Sequence, residues 1–229
     1  MKARGIFIFA VRILAFVSAA FFAYKAHELY MGFNKKVNFG KAAPTEYSES
    51  LEAVKPPTYA CGRIKPCSEG HFAFKLTSGA ASAVGPRICL EDTILVSDEK
   101  RNTGRGINIA LVEGHSGILT GSGVFDMFSG DVSDLIAFLK TITNGTIVMM
   151  ASFNDPASNL SEEARKMIGE LGSTNINTIE FRDSWVFVGR KGIGSKSPFE
   201  QIKKRSKDGD IYNGWPELVE MDGCIPHLQ

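Results

Sequence analysis

Four cysteines set the first limit on how this chain can fold: Cys61, Cys67, Cys89 and Cys224. An even number of cysteines in an exported chain favours two disulfides over metal ligation or thiol catalysis. Cys61 and Cys67 have five residues between them, so the C-x2-C spacing of a zinc site is absent. Three pairings are open to four cysteines, and spacing does not choose among them. Cys224 lies so far along the chain that any partner closes a loop of more than 100 residues. Chain-entropy arguments value such a closure at about 4–5 kcal/mol.

The N-terminus supplies the export signal this reading needs. Lys2 and Arg4 form a basic start, and residues 5–24 are apolar or small except for Arg12. The uninterrupted run from Ile13 to Tyr24 has signal-peptide length and falls short of a membrane span of about 20 residues. Ser18-Ala19-Ala20 offers small residues for cleavage. A signal anchor is the alternative, with Arg12 snorkelling and residues 5–24 spanning the bilayer. Residues 1–24 are thus assigned to a signal segment. Residues 25–57, with Lys35-Lys36, Pro44 and Pro56-Pro57 and no sustained period, form a flexible lead-in. Residues 58–229 form one globular domain. The net charge is +1, and removing the first 30 residues, which carry four bases and one acid, leaves −2. Neither value makes an electrostatic case for a nucleic-acid partner. Two N-x-S/T sequons, at Asn144 and Asn159, suit an exported chain as candidate glycosylation sites.

Hydrophobic periodicity orders the elements. Phe72 to Leu76 alternates as a strand, and Arg87 to Ser97 is β-branched and apolar around an acidic break at Glu91-Asp92. Ile107, Ile109 and Leu111 face a core from one strand, and His115-Ser116-Gly117 is turn chemistry suited to a hairpin onto Ile118-Leu119. Thr146 to Phe153 reads as a buried central strand, and Trp185 to Val188 as another. Asp131 caps a helix carrying Val132, Leu135, Ile136, Leu139 and Ile142 at spacings of three and four, stopped by Asn144-Gly145. Ser161-Glu162-Glu163 starts a second helix that Gly172 ends. Ser197-Pro198-Phe199-Glu200 has the form of a capping box, which predicts a third helix running through Lys203-Lys204-Arg205. The result is an α+β sandwich of sheets with short flanking helices. A four-helix-bundle cytokine is excluded, because no four long periodic helices exist.

Catalytic motifs are weak. Gly114-His115-Ser116-Gly117-Ile118 lacks the second glycine of a nucleophile elbow, and Gly121-Ser122-Gly123 extends to no dinucleotide fingerprint. No enzyme activity, cofactor or metal is expected. One cluster carries more information. If Phe181 to Gly189 is extended, Arg182, Ser184 and Val186 share one face, while Asp183, Trp185 and Phe187 share the other. An arginine near a tryptophan forms either a structural pair or a ligand platform. Asn154-Asp155-Pro156 ends the preceding central strand and could bring a carboxylate nearby.

Longer motifs point to a family. They include Lys75-Leu76-Thr77-Ser78-Gly79-Ala80-Ala81, Cys89-Leu90-Glu91-Asp92, and Gly104-Arg105-Gly106-Ile107-Asn108-Ile109-Ala110-Leu111. Phe181-Arg182-Asp183-Ser184-Trp185-Val186-Phe187, Gly214-Trp215-Pro216-Glu217 and Gly223-Cys224-Ile225-Pro226 follow in order. Over about residues 56–226 the chain resembles the family with sequence similarity 3, the interleukin-like EMT inducer and pancreatic-derived factor proteins. The resemblance implies a compact sandwich of two antiparallel sheets flanked by short helices. It implies secretion and cytokine-like or hormone-like signalling through a cell-surface receptor, in metabolic or epithelial regulation. By position it implies the pairs Cys61–Cys89 and Cys67–Cys224. One branch carries an additional cysteine after its Trp-Val-Phe and forms covalent dimers; here Val188 follows, so no covalent dimer is expected. Related domains occur in carbohydrate-linked proteins, including the stem of a protein O-mannose N-acetylglucosaminyltransferase, where a strand-end Asp and the Arg of an R-D-x-W motif look like sugar ligands. Asp155 and Arg182 stand at the matching positions and become candidate carbohydrate-binding residues. The alternative function is therefore a lectin-like module of the secretory pathway.

Overall fold

The computed structural model describes residue 18 and residues 20–28, 58–205 and 214–228. The chain divides into two units, Met1–Val54 and Lys55–Gln229. In the first, residue 18 and residues 20–28 are helical and exposed. Among the described residues no helix is long and apolar enough to cross a membrane. The lead-in assigned to residues 25–57 falls outside the described residues from 29 onward.

Among its described residues the second unit holds nine strands: β1 (His71–Thr77), β2 (Arg87–Leu90), β3 (Thr93–Val96), β4 (Gly106–Val112), β5 (Leu119–Phe125), β6 (Ile147–Phe153), β7 (Ser184–Arg190), β8 (Phe199–Lys203) and β9 (Glu220–Pro226). They form two sheets, ordered β3-β2-β1-β9 and β5-β4-β6-β7-β8, and every pairing is antiparallel. Two helices, α1 (Val132–Lys140) and α2 (Glu162–Glu170), lie between strands of the larger sheet in the chain.

Burial explains this layering. Along β4, β6 and β7, side chains alternate between two cores. Ile107, Ile109, Leu111, Val148, Met150, Trp185 and Phe187 pack with Leu135, Leu139, Ala164 and Ile168 of the helices. Ala110, Val112, Ile147, Met149, Ala151, Val186 and Val188 pack with Phe74, Leu76, Ile88 and Leu90 of the smaller sheet. The larger sheet is thus covered on both faces, which is why its central strands are apolar over most of their length. The helix signals act as their chemistry dictates. Asp131 accepts from the Ser133 N–H at 2.8 Å, and the Ser161 hydroxyl accepts from the Ala164 N–H at 3.3 Å.

The expected third helix is absent: Phe199–Lys203 is a strand on the edge of the larger sheet. The residues of the apparent capping box have other tasks. The Ser197 hydroxyl donates to the Val188 carbonyl and accepts from the Phe199 N–H. Pro198 stands just outside the ladder, where its missing N–H is harmless. Glu200 turns toward Trp185, whose indole N–H donates to it at 2.9 Å. The same carboxylate accepts from the Thr174 and Asn175 N–H groups at 2.6 and 3.1 Å, and so ties down the loop after α2. A helix would have removed this acceptor from the buried indole. Sequence periodicity also missed β9, whose alternation is interrupted by Gly223 and Cys224.

Two disulfides, Cys61–Cys89 and Cys67–Cys224, tie the segment before β1 to β2 and to β9. Asp92, in the β2–β3 turn, accepts from the Cys61 N–H at 2.6 Å, so the acidic pair Glu91-Asp92 serves a turn and its neighbour. The chain end is held as well. The His227 and Leu228 N–H groups donate to the Gly70 and Gly114 carbonyls at 2.8 Å each, and the His227 ring lies 3.9 Å from that of Phe72. Removing the long-loop bridge by substituting Cys67 and Cys224 together with Ser should lower stability by about 2–5 kcal/mol in urea unfolding. An unchanged midpoint would show that β9 holds its place by pairing and burial alone.

Candidate functional site

The candidate site lies where β6 ends and β7 begins. Asn154 leaves β6 with φ +64°, turning the chain so that Asp155 folds back over the following loop. The Asp155 Oδ1 accepts from the Ala157 and Ser158 N–H groups at 3.0 and 3.1 Å. The residue is fully buried, and its Oδ2 is enclosed without a hydrogen-bond partner.

Arg182 precedes β7 with φ +68°. The strand begins only at Ser184, three residues after the start of the extended reading at Phe181, so Arg182 does not share a strand face with Ser184 and Val186. A side chain at positive φ carries strain that its surroundings must hold. Here the restraints are aromatic: the guanidinium lies 4.3 Å from the ring centroid of Trp215 and 5.0 Å from that of Phe181. The tryptophan beside Arg182 is thus Trp215, while Trp185 is a core residue stacked on Phe187. Arg182 is partly exposed, and its Nε is enclosed and unpartnered.

The structural Arg–Asp pair that the local sequence suggests also takes a different form. Asp183 receives Lys204 Nζ at 2.9 Å, and the Glu180 and Arg205 N–H groups at 2.8 Å each. The basic run Lys203-Lys204-Arg205 therefore includes a partner for a buried carboxylate. No hydrogen bond or ion pair joins Asp155 to Arg182 among the described residues. Each keeps one enclosed polar atom unsatisfied, which is rare in native structures and calls for an explanation. Beside them, Ala80, Ala81, Trp215, Pro216, Glu217 and Leu218 line an open groove of about 450 Å³. The Gly79 N–H donates to the Ser152 carbonyl at 2.8 Å, which brings this loop to the end of β6.

Trp215 was visible in the sequence only as part of a motif, because nothing local signals that it meets Arg182. Both sequons are at the surface. Asn144 is exposed in the turn before β6, whereas the exposed Asn159 donates through Nδ2 to the Phe128 and Gly130 carbonyls at 3.2 Å each.

Comparison with known proteins bears on this arrangement. The family model described as interleukin-like EMT inducer matches residues 105–193, from the start of β4 to just beyond β7. The chain is 48% identical to rat (Rattus norvegicus) Protein FAM3C over 229 residues, covering all of both chains. It is 47% identical to human (Homo sapiens) Protein FAM3C, again over 229 residues and all of both chains. The chain belongs to the FAM3 family. Human Protein FAM3A, another FAM3 relative, is 55% identical over 179 residues, 78% of each chain.

A second charged cluster in this FAM3 chain sits close by. Arg105 donates to Asp126 through Nε and Nη2 at 3.0 and 2.6 Å, and lies 4.7 Å from the Phe128 ring centroid. That bidentate contact, aided by the Phe128 and Ser129 N–H groups, holds the Asp126 carboxyl well below the usual carboxylate range. A depressed carboxyl stabilises the fold at any pH above its unfolded value, and that stabilisation is lost as pH falls through the folded value. Urea midpoints should therefore decline below about pH 4, the ordinary range of an aspartate. Asp126→Asn should be less stable at neutral pH and decline less in acid. Parallel acid profiles for the two proteins would remove the pair from the acid response.

Proposed function

We propose that this protein is an exported, cytokine-like signalling protein that acts through a cell-surface receptor in metabolic or epithelial regulation, by binding and not by catalysis. The observation that carries this reading is end-to-end similarity to FAM3C, together with a family model whose description is interleukin-like EMT inducer. The two intramolecular disulfides suit a domain built for an oxidising compartment, and they engage all four cysteines, which leaves no thiol for a covalent dimer. Export removes the segment up to about Ala20, so protein from culture medium should begin near Phe21 and certainly before Cys61. The same peptide map should show a glycan on Asn144 in preference to Asn159, whose amide is engaged by two carbonyls. Recovery only in membranes with Met1 retained would favour the anchor. Proximity labelling of a responsive cell by the purified protein should enrich a transmembrane receptor, and labelling that is lost with an excess of unlabelled protein identifies a saturable one. Labelling that no excess displaces would count against the receptor.

A second reading, a carbohydrate-binding site, is favoured by one specific observation: the unsatisfied Oδ2 of Asp155 and Nε of Arg182. A carboxylate and a guanidinium fork each suit the paired hydroxyls of a sugar, and Trp215 offers a face for its apolar side. No pairing between the two charges competes for these atoms. Arg182→Ala and Trp215→Ala should abolish binding on a glycan array while leaving melting temperature unchanged. Had Arg182 been a buried structural partner, its loss would destabilise by about 3–5 kcal/mol. A destabilised Arg182→Ala with an unbound wild type would end this reading.

A further inference from the structure

At the opposite end of β7 from Arg182, about 20 Å along the strand, the two sheets part. The β7–β8 connection and the end of β9 enclose a groove of about 240 Å³. Its walls include Leu171, Val188, Ile193, Phe199, Ile225 and Pro226. Leu171, Val188 and Ile225 are buried, while Ile193 stands 54% exposed at the rim. The lining contains two cations, Arg190 and Lys196, and no carboxylate.

Arg190 is the unusual member. Its Nη2 donates to the Pro226 carbonyl, which holds the side chain against β9. Its Nε is enclosed and has no partner. Burial pushes the guanidinium pKa below its ordinary value, and no acid offsets that penalty. The nearest ion pair belongs to the adjacent residue, Lys191, with Glu170 at 3.8 Å. An enclosed donor with no acceptor is unfavourable unless something fills the role.

We propose that this groove binds a medium-chain fatty carboxylate, with its headgroup on Arg190 and its alkyl chain along the apolar walls. The carboxylate is the planar acceptor that a guanidinium fork matches best. The walls are too apolar to suit a sugar or an inorganic anion. The volume exceeds the ~150 Å³ of an apolar cavity that accepts benzene, so a chain longer than a few carbons fits. Lys196 supplies a second positive charge in the lining. This site is separate from the Asp155–Arg182–Trp215 region and does not depend on it.

Titration of the secreted full-length mature protein with decanoate, decanol and acetate tests the proposal, by calorimetry below the concentration at which decanoate self-associates. Decanoate should bind saturably at one site, decanol at least tenfold more weakly, and acetate not measurably. Arg190→Gln should reduce decanoate affinity at least tenfold, toward that of decanol, and leave decanol binding unchanged. Should Arg190→Gln fail to fold by its melting curve, Ile193→Asp provides the same discrimination from an exposed position. The added carboxylate at the rim should weaken decanoate far more than decanol. Equal affinity for acid and alcohol, absence of saturable decanoate binding, or decanoate binding insensitive to the variant that folds would each overturn the assignment.

Discussion

The structure depends on the burial of one sheet from both sides. β4, β6 and β7 are enclosed between the smaller sheet and the helices, so most of their apolar side chains face one core or the other. A strand covered on both faces gains nothing from a one-residue shift, which would carry the side chains of one core into the other. Instead, the shapes on its two faces select the register. Trp185 and Phe187 require the space under the helices, while Val186 and Val188 fit against the smaller sheet.

This double burial also decides what sequence reasoning could recover. Apolar runs announced β6 and β7, alternation announced β4, and capping residues announced α1 and α2, because these signals are local. The error at Phe199–Lys203 arose because Ser-Pro-Phe-Glu has the same composition in a helix start and in an edge strand that begins with a turn. Only a distant fact, that the buried Trp185 indole needs an acceptor, separates the two. β9 was missed for a similar reason. Its pairing with β1 and its bond from Cys224 are relations over most of the domain.

The candidate site was legible in part. Asp155 and Arg182 were identified as residues, but not as they stand. Both follow or occupy positions of positive φ, so neither belongs to the regular strand alternation from which a sequence argument draws side-chain direction. Trp215 comes from a segment that is remote in the chain. Strand ends in a doubly covered sheet are the places where backbone leaves the ladder without leaving the protein. Enclosed polar atoms without partners accumulate there: Asp155 and Arg182 at one end of the larger sheet, Arg190 at the other.

The partnership of β1 with β9 has a consequence in time. The smaller sheet joins the first strand of the domain to the last, with Glu220–Pro226 laid against His71–Thr77. During synthesis the β1–β2–β3 meander and the Cys61–Cys89 bridge precede the whole larger sheet in the chain and can form before that sheet does. Until Glu220–Pro226 has been made, β1 carries an open edge and Cys67 has no native thiol to meet. β9 therefore acts as a latch, and a chain halted short of Cys224 leaves both the edge and the thiol without their native partners, open to foreign strands and to exchange with other thiols.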